Sequence, residues 1–231
     1  ELVIDPHDSS LPVPRFTLCA DLWVDPKGRL HLFHDQTMGG YYRSERYFLN
    51  QCTTSDSRRG VWHAVCENPD AETLVWSKPE RIKVSHAPHG PTLLRDGSLF
   101  QIGREFRHED VQGSNGVDYT VIRAEKSFDH GKTWQVLCED IPDTDGENGV
   151  PHMFHEPNAV ELADGTLVGM VRYHGAKGAN ATDGNGYLRE TVSKDGGKTW
   201  TPMAATPMLG LPPHLFTLPD GKLVCVYGRR N

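Results

Sequence analysis

The chain is poor in several features that would point to common functions. Only 37% of its 231 residues are hydrophobic, below the usual share, so a thick layered core is not expected. No apolar run approaches the ~20 residues of a membrane-spanning helix. There is no basic excess: 31 acidic residues against 24 basic ones leave a formal charge of −7. A nucleic acid or an anionic membrane needs a basic face, so neither is expected as a partner; a local pocket for a small anion remains open. The five cysteines, Cys19, Cys52, Cys66, Cys138 and Cys225, form no CxxC pair, which argues against a zinc ribbon. Their odd number leaves at least one free thiol or an intermolecular bridge, and Cys66, Cys138 and Cys225 sit in apolar runs that read as buried thiols. No metal or cofactor is expected. The first residue, Glu1, is not an initiator, so processing or truncation is expected to have removed what preceded it; the compartment stays open, with a secreted or periplasmic setting favoured. Helical periodicity is almost absent.

What the chain does have is repetition, glycine and proline, with 23 and 16 residues. Four segments share an apolar run, a tight turn and a second apolar run: CADLWVDPKGRLHLFHD, HGPTLLRDGSLFQIGRE, HEPNAVELADGTLVGMVRY and PPHLFTLPDGKLVCVYGRR. Their turn glycines, Gly28, Gly97, Gly165 and Gly221, lie 69, 68 and 56 residues apart. Asp-Gly between alternating strands predicts a hairpin with a type I′ turn. A second repeat, SFDHGKTW at 127–134 and SKDGGKTW at 193–200, falls at a fixed phase of the first, about 30 residues after the turn glycine. Each unit therefore reads as four strands; in the third they fall near 158–162, 167–172, 187–192 and after Trp200. In the first unit the last hairpin is placed at 61–79, with Trp76 after a longer turn, and the fourth unit stops after its second strand. Four-stranded units in series predict an all-β fold, a β-propeller. The chain holds about three and a half blades of it, read as one domain over 1–231, an incomplete propeller unless strands from the N-terminus, with 2–4 as a piece, close the half-blade.

The octapeptide is then the turn between the third and fourth strands of a blade. Its Ser and Asp accept backbone N–H groups, Gly permits the tight backbone and Trp packs between blades, so Ser127, Asp129, Ser193 and Asp195 read as structural. The pattern Ser-x-Asp-x-Gly-x-Thr-Trp resembles the Asp box of the sialidase (neuraminidase) superfamily, the BNR-repeat propellers. EPNAVELADGTLVGMVR and PPHLFTLPDGKLVCVYGRR also resemble bacterial sialidase-like glycosidases. The resemblance covers residues 16–231 and implies a six-bladed sialidase-type propeller when complete. It is less specific for substrate, because the same propeller carries other glycosidases, polysaccharide lyases and lectin-like proteins.

Chemistry is expected on the face opposite the Asp boxes, where first strands begin and second strands end. Seven residues beyond the turn glycine come Arg104 and Arg172; eight beyond Gly221 comes Arg229; the first unit holds Asp35 there. The first strands begin with Asp21, His89, His155 with Glu156, and His214. Arginines at equivalent blade positions suit a ligand carboxylate, which accepts charge-assisted hydrogen bonds from them; pairing with a neighbouring acid such as Glu105 is the alternative. The sialidase resemblance implies Glu156 as the base for a tyrosine nucleophile and Arg172 as a carboxylate-gripping arginine, the tyrosine being an exception among retaining glycosidases. Asp35 and Asp21 are acid/base candidates by position. Arg104, Arg229, His89, His155 and His214 are candidates for substrate contact, and the substrate is a glycan bearing sialic acid or a related acidic sugar. The family's early arginine motif is represented only by Arg15 in PVPRFTL, and its tyrosine and third arginine are expected beyond Asn231. A non-catalytic sugar-binding propeller and a uronic-acid polysaccharide lyase remain alternatives. DTDGENG at 143–149 lacks the full pattern of a calcium loop, and NAT at 180–182 is a glycosylation sequon only in a eukaryotic secretory setting.

Overall fold

The computed structural model describes residues 15–38, 60–83, 85, 88–109, 117–143, 152–176 and 186–228. Cys52, Arg229, the sequon, most of DTDGENG and the N-terminal piece at 2–4 lie outside the described residues, and so does the side chain of Arg15. The chain groups into two compact units, Glu1–Pro91 and Thr92–Asn231. Among the described residues, all regular elements are strands.

The first unit holds one four-stranded antiparallel meander, β1 (Arg15–Val24), β2 (Leu30–Met38), β3 (Gly60–Cys66) and β4 (Glu80–Lys83), in sequential order. Trp76 bridges Cys66 within the longer turn expected there. The second unit holds two more such blades. They are β5 (Thr92–Leu93), β6 (Leu99–Glu109), β7 (Val117–Ser127) and β8 (Gln135–Cys138), then β9 (His152–Glu161), β10 (Leu167–Ala176), β11 (Tyr187–Ser193) and β12 (Ala204–Leu209). A two-stranded half-blade follows, β13 (Leu211–Thr217) with β14 (Leu223–Gly228). The architecture is that of a β-propeller of four-stranded blades. β9 begins six residues before the expected start at 158, because an irregular pairing carries its ladder on to His152.

The hairpin turns differ from the type I′ expectation. Leu162 N donates to Thr166 O at 2.8 Å and Gly165 N to Leu162 O at 3.0 Å. Gly165 alone takes positive φ, 87°, while Ala163 and Asp164 do not. This is a type I turn closed by a glycine bulge, the three-residue hairpin solution, whereas type I′ requires positive φ at both central residues. Asp164 serves through its side chain instead, its Oδ1 accepting from Thr166 N at 2.9 Å, and Asp96 and Asp220 do the same for Ser98 and Lys222. The Asp boxes behave as expected. Ser193 Oγ donates to Asp195 Oδ1 and accepts from Gly197 N, both at 2.9 Å, and Asp195 also takes Thr199 N and Oγ1. These hydrogen bonds, the Thr199 hydroxyl first, hold the Asp195 carboxyl below the usual range.

Two apolar cores in the second unit hold successive blades together. Phe100, Ile102, Ile122, Phe154, Val171 and Trp200 pack between its first and second blades; Val160, Val168, Met170, Leu188 and Leu215 pack between the second and the half-blade. Gly197 explains why the box needs glycine there: its φ is 96°, and a Cβ would approach Phe100 Cε2 to 2.6 Å. Cys66 is buried as expected, but Cys138 and Cys225 are only half-buried.

The first unit carries a buried polar chain that sequence inspection did not reveal. Asp25 caps its hairpin through Lys27 N and Arg29 N, both 2.9 Å, and pairs with the Arg29 guanidinium at 2.7 Å. Its Oδ2 faces His31 Nε2 at 3.3 Å, and His31 Nδ1 lies 2.8 Å from His63 Nε2. Both imidazoles are buried, among the rings of Trp23 and Phe33. Burial pushes the His63 pKa down to about 4, with His31 and Arg29 adding to the effect. His31 is lowered by the same cause, against the pull of Asp25.

Candidate functional site

In the third blade the register places His155 opposite Arg172 and Asn158 opposite Met170, so that Glu156 and Pro157 face Val171 alone. This is a β-bulge, and Glu156 sits in it with φ 45°, a region that non-glycine residues seldom enter. Cys19 occupies the same place in the first unit, nine residues before its turn glycine, at φ 49° in a bulge between Leu18 and Asp21. A register shift recurs at Pro212 in the half-blade. The left-handed bulge is therefore shared by the first strands of the first and third blades; what distinguishes the third blade is the carboxylate it presents there.

That carboxylate meets the arginine expected of it. Arg172 Nη1 donates to Glu156 Oε2 at 2.9 Å, with the two side chains 12% and 24% exposed. They lie at the far end of the blade from the Asp box, because Ser193, which opens the box, pairs with Leu167 at the other end of β10. Arg104, on β6 of the preceding blade, is nearly buried and hydrogen-bonds through Nη1 to His155 Nδ1. Two consecutive residues, Glu156 in the bulge and His155 before it, thus engage guanidiniums from two blades. The two guanidiniums come together in a chain that is acidic as a whole. Glu105 does not neutralise Arg104; its carboxylate takes Arg123 Nη1 at 2.7 Å.

The other candidates are placed differently. Asp35 is buried on β2, opposite Leu18 and Val61, and His89 is half-buried in the same unit. His214 is exposed on β13, opposite Val226 and 6.3 Å from the Phe216 ring. Asp21 serves a structural contact within the first unit, its Oδ2 accepting from Gly90 N at 2.5 Å. Asn158, seven residues before its own turn glycine as Asp21 is before Gly28, likewise accepts from Leu215 N at 2.7 Å. These backbone contacts were missed in the sequence, although alignment on the turn glycines already puts Asp21 and Asn158 in one column. Arg189 was also missed. It is buried and lies over the Tyr173 ring at 4.4 Å, and nothing in its local sequence distinguishes it.

The BNR repeat-like domain family matches residues 17–231, nearly the whole chain. The chain belongs to this family. No curated protein matches it. Among solved structures, it is similar to a protein of unknown function from Dyadobacter fermentans, at 18% identity and TM-score 0.66, over 100% of this chain and 60% of that one. It is also similar to the NanB sialidase of Streptococcus pneumoniae, at 12% identity and TM-score 0.58, over 98% and 50%. The Trypanosoma rangeli sialidase gives 15% identity and TM-score 0.55, over 97% and 36%. This BNR-repeat chain therefore has the sialidase-like propeller fold and spans three-fifths or less of the length of those structures.

Proposed function

We propose that this BNR-repeat chain forms the acidic-sugar-binding part of a carbohydrate-active enzyme that removes terminal sialic acid or a related sugar acid from glycans. Arg172 and Arg104 receive the sugar carboxylate, and Glu156 acts as the base. The observation that carries this reading is the pairing of Arg172 with Glu156 at 2.9 Å, at the blade end opposite the Asp box, with a second guanidinium engaged by His155, the residue before Glu156. A positive cluster of this kind suits a carboxylate because each charge-assisted hydrogen bond contributes roughly twice a neutral one.

The same ion pair favours a second reading, glycan binding without turnover, since a carboxylate already engaged by a guanidinium has one lone pair fewer to offer as a base. One screen separates the readings. The protein is incubated with a fluorogenic sialoside and with a uronic-acid polysaccharide, and release of the fluorophore and new ultraviolet absorbance are both followed. Fluorophore release supports the hydrolase. Ultraviolet absorbance from a new double bond replaces it with a lyase. Saturable sugar-acid binding with neither signal leaves the binding propeller, and absence of binding and turnover refutes the acidic-sugar site.

A further inference from the structure

We infer that His155 is a positioning residue whose Nδ1 holds the Arg104 guanidinium in place to receive a sugar carboxylate beside Glu156. The inference rests on the acidic-sugar reading above and adds to it the device that orients one of the two arginines. Its basis is the contact across blades. Arg104 comes from β6 and His155 from β9, and Arg104 Nη1 meets His155 Nδ1. A guanidinium is always protonated and only donates, so the imidazole must accept at Nδ1. It therefore carries its proton on Nε2 and is neutral. An imidazolium would have an N–H at both positions and would turn one against the arginine. A long arginine side chain loses much rotamer freedom when fixed; an acceptor that fixes it before the ligand arrives removes that cost from binding.

The acids next in sequence to these two residues are engaged by other arginines. Glu156, next in sequence, is taken by Arg172. Glu105, next to Arg104, is taken by Arg123. The backbone of Phe154 is tied to Thr120, its N–H donating to Oγ1 at 2.7 Å and its carbonyl accepting from the same hydroxyl at 2.9 Å. That clamp joins β9 to the preceding blade one residue before His155, and so sets the imidazole against Arg104.

The test is a double-substitution cycle read as affinity for two named probes, N-acetylneuraminate and glucuronate, by isothermal titration at pH 7.5. His155→Leu removes the acceptor, and His155→Asn retains one, since its amide oxygen can reach the place of Nδ1. Losing the pre-set guanidinium is expected to weaken binding roughly ten-fold, the scale of one charge-assisted hydrogen bond. His155→Asn should restore most of it. In an Arg104→Ala background, His155→Leu should cause no further loss, because the histidine acts through that arginine. Nitrogen NMR of the histidines checks that each variant is folded and that His155 is the Nε2–H tautomer in the unsubstituted protein. Unchanged affinity in folded His155→Leu, additive losses in the double variant, or the Nδ1–H tautomer would each overturn the inference while leaving the acidic-sugar site standing. Failure of the unsubstituted protein to bind either probe would remove that site, and the positioning role with it.

Discussion

Acidification provides a sharp test of the physical account, through the buried chain Asp25–His31–His63. His63 is 8% exposed, and its neutral form is held by burial so that the pKa falls from 6.5 to about 4. The unfolded chain therefore binds a proton between these values that the folded chain refuses, and stability must fall as the pH drops through that window. At 1.36 kcal/mol per pH unit, the fall from 6.5 to about 4 corresponds to at most about 3 kcal/mol, fully present above pH 6.5 and lost by about pH 4. His31, lowered in the same direction, adds to the loss. The depressed carboxylates do not confuse the measurement. Asp25, lowered against its burial by hydrogen bonds from Arg29, His31 and Lys27, gives up its contribution only below pH 3.8. Asp96, held at about 2 by Lys126, behaves alike. The assay is urea unfolding at pH 7.5, 6.5, 5.5 and 4.5, followed by tryptophan fluorescence, with Trp23 only 4.8 Å from His31 as a local reporter. His63→Gln keeps a donor for His31 Nδ1 without a titrating group, so its stability should be flatter across the window. Parallel curves for the two proteins, or a His63 that titrates near 6.5 by NMR, would refute the reasoning.

Three further outcomes follow from the same contacts. Glu156→Gln is expected to lower turnover on an acidic-sugar substrate by about 10²–10⁴-fold with the fold intact; unchanged turnover in steady-state assays would remove Glu156 from the chemistry. Ser193→Ala leaves the buried N–H of Gly197 without its acceptor and removes a donor to Asp195, and should cost about 1–3 kcal/mol in chemical denaturation. Gly165→Ala and Gly197→Ala face the same unfavourable φ of about 90°, but only Gly197 has a ring within 2.6 Å of the new methyl group. The first should cost about 1–2 kcal/mol and the second distinctly more; equal unfolding midpoints would show that Phe100 gives way freely.

Sequence alone determined the parts of this protein that depend on local rules. Apolar alternation around a glycine turn, and an octapeptide at constant phase, are repeated within the chain, so the number of strands per blade, the half-blade and the role of the Asp box were legible without coordinates. The turn type was misjudged for a local reason too: Asp-Gly suits two hairpin geometries, and the extra residue before it selects the bulged one. Glu156 and Arg172 could be paired because they share one hairpin, 16 residues apart, where strand length decides whether they meet. What tertiary structure decided is every contact between blades or between non-adjacent turns. Arg104 takes His155 rather than Glu105, Asn158 binds the backbone of the next first strand, and Asp25 reaches His63, two strands on, through His31. Such partners lie tens of residues away in the sequence. Which of several nearby charges a guanidinium or imidazole reaches depends on bulges, packing and burial that appear only when neighbouring sheets are pressed together.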